Sequence, residues 1–209
     1  MDPVAPAELL VLHGIRLEGY ADVGAIAVRF GLDREVALEL LLDYEACGWV
    51  TRSRFADLDG WSLTAAGRAE NERRLAVERD AAGAGCAVAA GHEAFVALNA
   101  RLLAAATRWQ LRPAPGDRLA SNDHTDLDWD ATVLDELHHL NDALRPVVDQ
   151  LATALPRFGG YADRFAAALA RVDAGDDAWV AAPRVDSCHT IWMQLHEDLI
   201  ATLGLQRGS

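Results

Sequence analysis

The sequence predicts a mainly α-helical protein: an N-terminal domain carrying one two-stranded hairpin, followed by an all-α helical domain. Three observations predict it. Two short amphipathic stretches, over 23–30 and 37–44, are separated by Gly31-Leu32-Asp33. Two strand-like runs, Trp49-Val50-Thr51-Arg52 and Gly60-Trp61-Ser62-Leu63, come soon after. Beyond them no run alternates at the two-residue period of a strand, while apolar residues recur at helical spacing up to Leu203.

Residues 6–18 form the first helix, with His13 a packed or half-exposed member rather than a functional one. After Asp22, the pattern Val23, Ile26, Ala27, Phe30 predicts a second helix that stops at Gly31. Asp33 can cap the third, because its carboxylate accepts from free first-turn amides. Ala37, Leu40, Leu41 and Tyr44 then form one buried stripe, and Gly48 supplies the positive φ that ends it. A turn through Asp57, Asp59 and Gly60 joins the two strands, and Thr64 caps the helix after the second strand. This order of elements is that of a winged helix-turn-helix, whose second helix usually enters the DNA major groove.

Leu32-Asp33, Glu45-Ala46-Cys47-Gly48-Trp49-Val50 and Trp61-Ser62-Leu63-Thr64-Ala65-Ala66-Gly67-Arg68 resemble the MarR-type winged-helix regulators, over about residues 8 to 80. In that family a Glu-Ala-any-Gly-apolar-Val run ends the recognition helix, and a Leu-Thr-any-Ala-Gly-Arg run closes the wing. The resemblance implies a homodimeric, ligand-responsive, DNA-binding transcription factor. The chain departs from the pattern on the outward side of the third helix, at Arg34, Glu35, Leu38, Glu39, Leu42 and Asp43. DNA readers place donors there, since base edges and phosphates need them. The arginines available to offset these acids are Arg29, Arg34, Arg52, Arg54 and Arg68, with Arg73 and Arg74 further along.

Charge sharpens the point. All 19 basic residues are arginines, a compositional bias rather than a phosphate signature, and the net charge is −13. Residues 1–80 hold 9 arginines against 15 acids, giving −6, and the remainder 10 against 17, giving −7. An acidic balance in both parts opposes non-specific nucleic-acid binding, which depends on phosphate neutralisation. Cys47, Cys86 and Cys188 are widely spaced and odd in number, as structural thiols of a reducing cytoplasm would be. Met1-Asp2-Pro3 leads into no secretory pattern, no apolar run reaches the ~20 residues of a membrane span, and a cytoplasmic protein is expected.

The domains are expected at 1–80, a linker or hinge at 81–91 (Ala81-Ala82-Gly83-Ala84-Gly85 is the composition break), and a helical ligand-binding or dimerisation domain at 92–209. Long helices are predicted over 86–110 and 129–154, the latter kinked or broken at Pro146. Shorter ones are predicted over 161–172 and 186–203, and residues 112–128 form a long loop.

Chemistry-bearing residues gather in the last helix. Asp186, His189, Met193 and His196 are spaced to share one face, with Trp192 beside them. Asp186 can orient His189, and Asn122, Asp123 and His124 can close over the pair. Trp109, Trp129, Trp179 and Trp192 would supply apolar walls. The same residues admit three uses: capping helices and tying the loop down, binding a small molecule, or acid–base catalysis by Asp186, His189, His196, Asp123 and His124. A metal would need His189 or His196 joined by Asp123, His124, His138 or His139; neither a metal nor a cofactor is expected, and no nucleophile elbow, phosphate loop or zinc-hydrolase motif is present. The leading expectation is a ligand-responsive regulator. One alternative is a winged helix that no longer reads DNA, beside a helical domain binding or transforming a small molecule. Another is a protein-interaction module anchored by Leu38 and Leu42.

Overall fold

The computed structural model describes residues 5–55 and 58–205. Asp57 of the expected turn therefore lies outside the described residues. The chain is mainly helical with one two-stranded antiparallel sheet. Its elements are α1 (Ala7–Glu18), α2 (Val23–Phe30), α3 (Arg34–Ala46), β1 (Val50–Phe55), β2 (Leu58–Leu63), α4 (Ala65–Ala81), α5 (Gly85–Gln110), α6 (Leu127–Ala154), α7 (Tyr161–Asp173), α8 (Ala178–Ala181) and α9 (Cys188–Leu203). A single 3-10 turn, Pro156–Phe158, precedes α7. Among the described residues no single helix is long and apolar enough to cross a membrane.

Two compact units divide the chain. One holds Met1–Cys86, Leu155–Arg157 and Glu197–Ser209; the other holds Ala87–Ala154 and Phe158–His196. They are not consecutive, as one domain over 92–209 would require.

In the first unit α1 packs against α2, α3 and α4 around Leu12, Ile15, Ile26, Ala37, Leu41 and Trp61. The caps are the ones the residue types dictate. Asp22 accepts from the amides of Gly24 and Ala25, and Asp33 from those of Glu35 and Val36. Gly31 sits at φ 62°, where a side chain would be strained. The hairpin is longer than expected. Asp59 is not in its turn but in β2, paired with Arg54; Gly60 pairs with Ser53 within the expected strand, and the register runs from Val50 with Leu63 to Phe55 with Leu58. Ala21 adds a single bridge to Trp61 from the other side. Gly67 explains the end of the resembling run: a Cβ there would stand 1.8 Å from the Trp49 carbonyl oxygen. That oxygen already accepts from the Thr64 amide and hydroxyl, and the Thr64 hydroxyl oxygen in turn caps α4 at Gly67.

The unit is closed by residues far along the chain. His13 is fully buried, its Nε2 3.1 Å from Asp198 and its Nδ1 3.4 Å from the Asn71 amide oxygen. Arg157 donates to Asp198, to Glu78 at 2.6 Å and to the Thr202 hydroxyl at 2.6 Å. Arg16 joins Glu197 and Glu72, both at 2.8 Å. Burial lowers the His13 pKa, with Asp198 offsetting only part of it. Burial also pushes the Asp198 carboxyl up, but Arg157 and His13 outweigh it and hold the group well below the usual carboxylate range.

In the second unit the cores of α5, α6, α7 and α9 are formed by Phe95, Leu102, Leu137, Leu144, Phe165 and Trp192. Gly91 lets α5 approach Leu151, whose Cδ2 would lie 2.5 Å from an added Cβ. Helix α6 runs unbroken through Pro146. The stretch 111–121 is pinned rather than loose, by bridges pairing Leu111 with Ser121 and Ala114 with Asp117.

Candidate functional site

The polar site of the second unit is built where α5 ends and α6 begins. The backbone amide of Asn122 donates to the Gln110 carbonyl at 2.8 Å, and its side-chain nitrogen donates to the Trp109 carbonyl at 3.1 Å. That nitrogen also donates to Asp130 Oδ1 at 2.7 Å. His124 Nδ1 lies 3.0 Å from Asp130 Oδ2. A carboxylate accepting there requires Nδ1 to carry a proton. The imidazole rests on Trp109, ring centres 4.5 Å apart, and its side chain is 35% exposed. His124 is the one non-glycine residue at positive φ among those described, at 55°. Its amide donates to Asn122 Oδ1 at 3.2 Å, so the side chain two residues earlier holds this uncommon conformation. An imidazole oriented through one nitrogen can exchange a hydrogen bond or a proton with a ligand through the other. No serine or cysteine is hydrogen-bonded to it among the described residues, so a nucleophile–base pair is not formed.

The other expected members lie elsewhere. Asp123 turns back on Thr125, accepting from its amide at 3.1 Å and its hydroxyl at 2.8 Å. Trp129 donates to the Arg108 carbonyl at 2.9 Å, beneath the Arg108 guanidinium. Helix α9 starts at Cys188, so Asp186 precedes it and does not share its face. Asp186 meets Arg164 through both carboxylate oxygens, at 2.9 and 3.1 Å, rather than orienting His189. Burial lowers the His189 pKa by disfavouring its charged form. Trp192 donates to Asn99 at 2.9 Å and packs on Phe95. His196 packs on Phe95 and faces His92, ring centres 6.3 Å apart. Phe95 and Trp109 are separated by about 21 Å along α5, so Trp192 and His196 form one group and Asn122, His124 and Asp130 another. Burial pushes the Cys188 thiol up to about 12. Among the described residues no three histidine, cysteine, aspartate or glutamate side chains are grouped to hold a metal.

No family model, no curated protein and no solved structure matches this chain.

At the N-terminal unit the exposed side of α3 carries Arg34, Glu35, Val36, Glu39, Leu42 and Asp43. Leu38 is half-buried against the core, so Leu42 alone of the expected leucine pair stands exposed. Most of the expected DNA-contacting arginines are engaged by the chain's own acids. Arg52 makes two 2.7 Å bonds to Asp59 and lies over Trp61. Arg54 reaches the same carboxylate at 3.3 Å. Hydrogen bonds from Arg52, against a smaller desolvation, hold Asp59 below its usual range, so it stays ionised. Arg29 pairs with Glu18 at 3.6 Å, and Arg68 with Glu197 at 3.2 Å while remaining half-exposed.

Sequence reasoning missed Asp130, Asn99 and His92 here. Asp126, Asp128 and Asp130 all fall near the start of α6, and nothing in their spacing marks which one turns back to His124.

Proposed function

We propose that this chain is a ligand-responsive regulator of the MarR-like winged-helix type, acting as a homodimer. The carrying observation is the order of α2, the Gly31 turn, α3 and the hairpin around one core, with Gly67 seated against the Trp49 carbonyl. In this reading α3 and the hairpin approach DNA, and Arg34, Arg54 and Arg68 contact phosphates. The small molecule is held in the second unit by Asn122, His124 and Asp130 beside Trp109. Ligand acts by binding one arrangement of the dimer better than another, and shifts DNA affinity by that difference. The test is anisotropy of a labelled duplex from the upstream region of its own gene at low salt. Binding that weakens on Arg34→Ala and Arg54→Ala supports the reading, and no binding at 10 micromolar protein overturns its DNA half.

A second reading is favoured by one specific observation: Glu35, Glu39 and Asp43 stand exposed on α3 while Asp59 occupies both wing arginines. In it the winged helix no longer reads DNA, and the second unit's small-molecule site is the function. A metabolite that protects the wild type but not His124→Ala from thermal unfolding, with no DNA bound, selects this reading.

A further inference from the structure

His92 of α5 and His196 of α9 are both half-buried and face one another, ring centres 6.3 Å apart and planes inclined by 23°. Packing holds the rings in place. His196 rests on Phe95 at 5.4 Å, Phe95 rests on Trp192 at 4.8 Å, and Trp192 donates to Asn99 at 2.9 Å. Trp192 is fully buried, whereas Met193 is half-buried. Met193 precedes His196 by three residues, so the two are neighbours on α9, about 60° apart around its axis. Two imidazoles bound to one metal ion hold their ring centres about 5 to 6.5 Å apart, since each centre stands about 3.2 Å from the ion. At 6.3 Å the pair lies at the wide end of that range, where two nitrogens approach an ion from nearly opposite sides. Tetrahedral zinc would draw the rings to about 5.2 Å and requires four donors. Among the described residues no third histidine, cysteine, aspartate or glutamate is grouped with the two rings. The further donor beside them is a thioether. Its three rotatable bonds let the sulfur swing toward His196.

We propose that His92, His196 and Met193 bind one Cu(I) ion. The donor set decides the ion: imidazole and thioether with no carboxylate select a soft cation over magnesium, calcium or zinc. A filled d shell leaves Cu(I) content with two or three ligands, so two rings across the ion and one sulfur from the side complete it. Phe95 and Trp192 wall the rings with apolar surface, which disfavours the harder Cu(II) and its need for further nitrogen or oxygen donors. Binding is ligand exchange: Cu(I) leaves a carrier and takes these side chains, and no electron changes hands. All three donors belong to the second unit. Cu(I) binding here depends on neither DNA contact nor the site around His124, so each can fail alone.

The experiment is anaerobic transfer of Cu(I) from bicinchoninate to the full chain with Cys47 and Cys86, the exposed thiols, replaced by serine. One equivalent is expected to transfer. In that background His92→Gln and His196→Gln are each expected to weaken binding by about tenfold or more, with circular dichroism to check each fold. Met193→Leu keeps the packing volume and is expected to weaken it by about threefold or more. Ag(I), equally soft and inert to oxidation, supplies a readout that needs no substitution at the site. The chain has two methionines, and the labelled methyl signal of Met193 is expected to shift up to one equivalent of Ag(I). No transfer of Cu(I) overturns the proposal. So does an affinity indifferent to both glutamine variants, which would place the ion elsewhere, and so does a Met193 methyl signal that Ag(I) leaves unmoved.

Discussion

Asp198 is the residue on which the first unit turns, since His13, Arg157 and Thr202 all converge on it. Removing one partner from a buried ion cluster leaves the others desolvated and unpaired. Asp198→Asn is therefore expected to cost about 3–5 kcal/mol, read as a shift in the urea midpoint. A loss below about 1 kcal/mol would show the cluster to be solvated. At the other polar site, His124 is expected to hold a proton on Nδ1, seen in nitrogen-15 imidazole spectra. Asp130→Asn should shift that tautomer balance; an unchanged spectrum would mean Asp130 does not orient the ring. These clusters were the least legible part of the sequence. His13 reads as a packed helix residue, and its partners lie 144 and 185 positions away, at Arg157 and Asp198. Local spacing carries no record of which distant charge a buried imidazole meets. Asn122 and His124, by contrast, are marked by residue type alone, in a turn-rich stretch between two helices.

Elements were more legible because their causes are local. The caps at Asp33 and Thr64, the stop at Gly31 and the stripe on α3 obey short-range rules, and each appears. What failed did so for tertiary reasons. Asp186 reads as part of the last helix, but its bond to Arg164 holds it ahead of Cys188. The hairpin runs to Phe55 and Leu58 because Asp59, a turn residue by composition, is held in the strand by Arg52. Two substitutions separate local from packed contributions. Asp33→Ala removes a cap and should cost about 1 kcal/mol. Gly67→Ala drives a methyl into the Trp49 carbonyl and should cost about 1–3 kcal/mol or more, lowering the melting temperature further than the cap variant. The reverse order would mean that α4 and the Trp49 turn are not closely packed.

For the whole molecule, His13, His189, Asp198 and Glu70 set the dependence on pH. All four have folded-state values below their ordinary ones; for Glu70 the hydrogen bond from Arg73, with Arg74 and against a smaller burial cost, brings it to about 2. The unfolded chain then binds protons more readily, so stability rises with pH. It should be fully present above about 6.5, fall first as His13 and His189 must charge, and fall again below about 4.5 as carboxylates protonate. Urea midpoints from pH 8 to 4 check this, and a flat profile between 7 and 5 would remove both histidines from the account.

A different set of charges bears on the proposed function. Glu35, Glu39 and Asp43 face outward on α3 with one arginine, Arg34, on their helix. If this helix lies against DNA, those carboxylates oppose binding through space. The most direct measurement is duplex anisotropy at low salt with Glu35→Gln, Glu39→Gln and Asp43→Asn combined, beside the wild type. Both are expected to bind, the neutralised protein at least tenfold more tightly. Absence of binding by both at 10 micromolar would contradict it, and leave the site around His124 as the function of the chain.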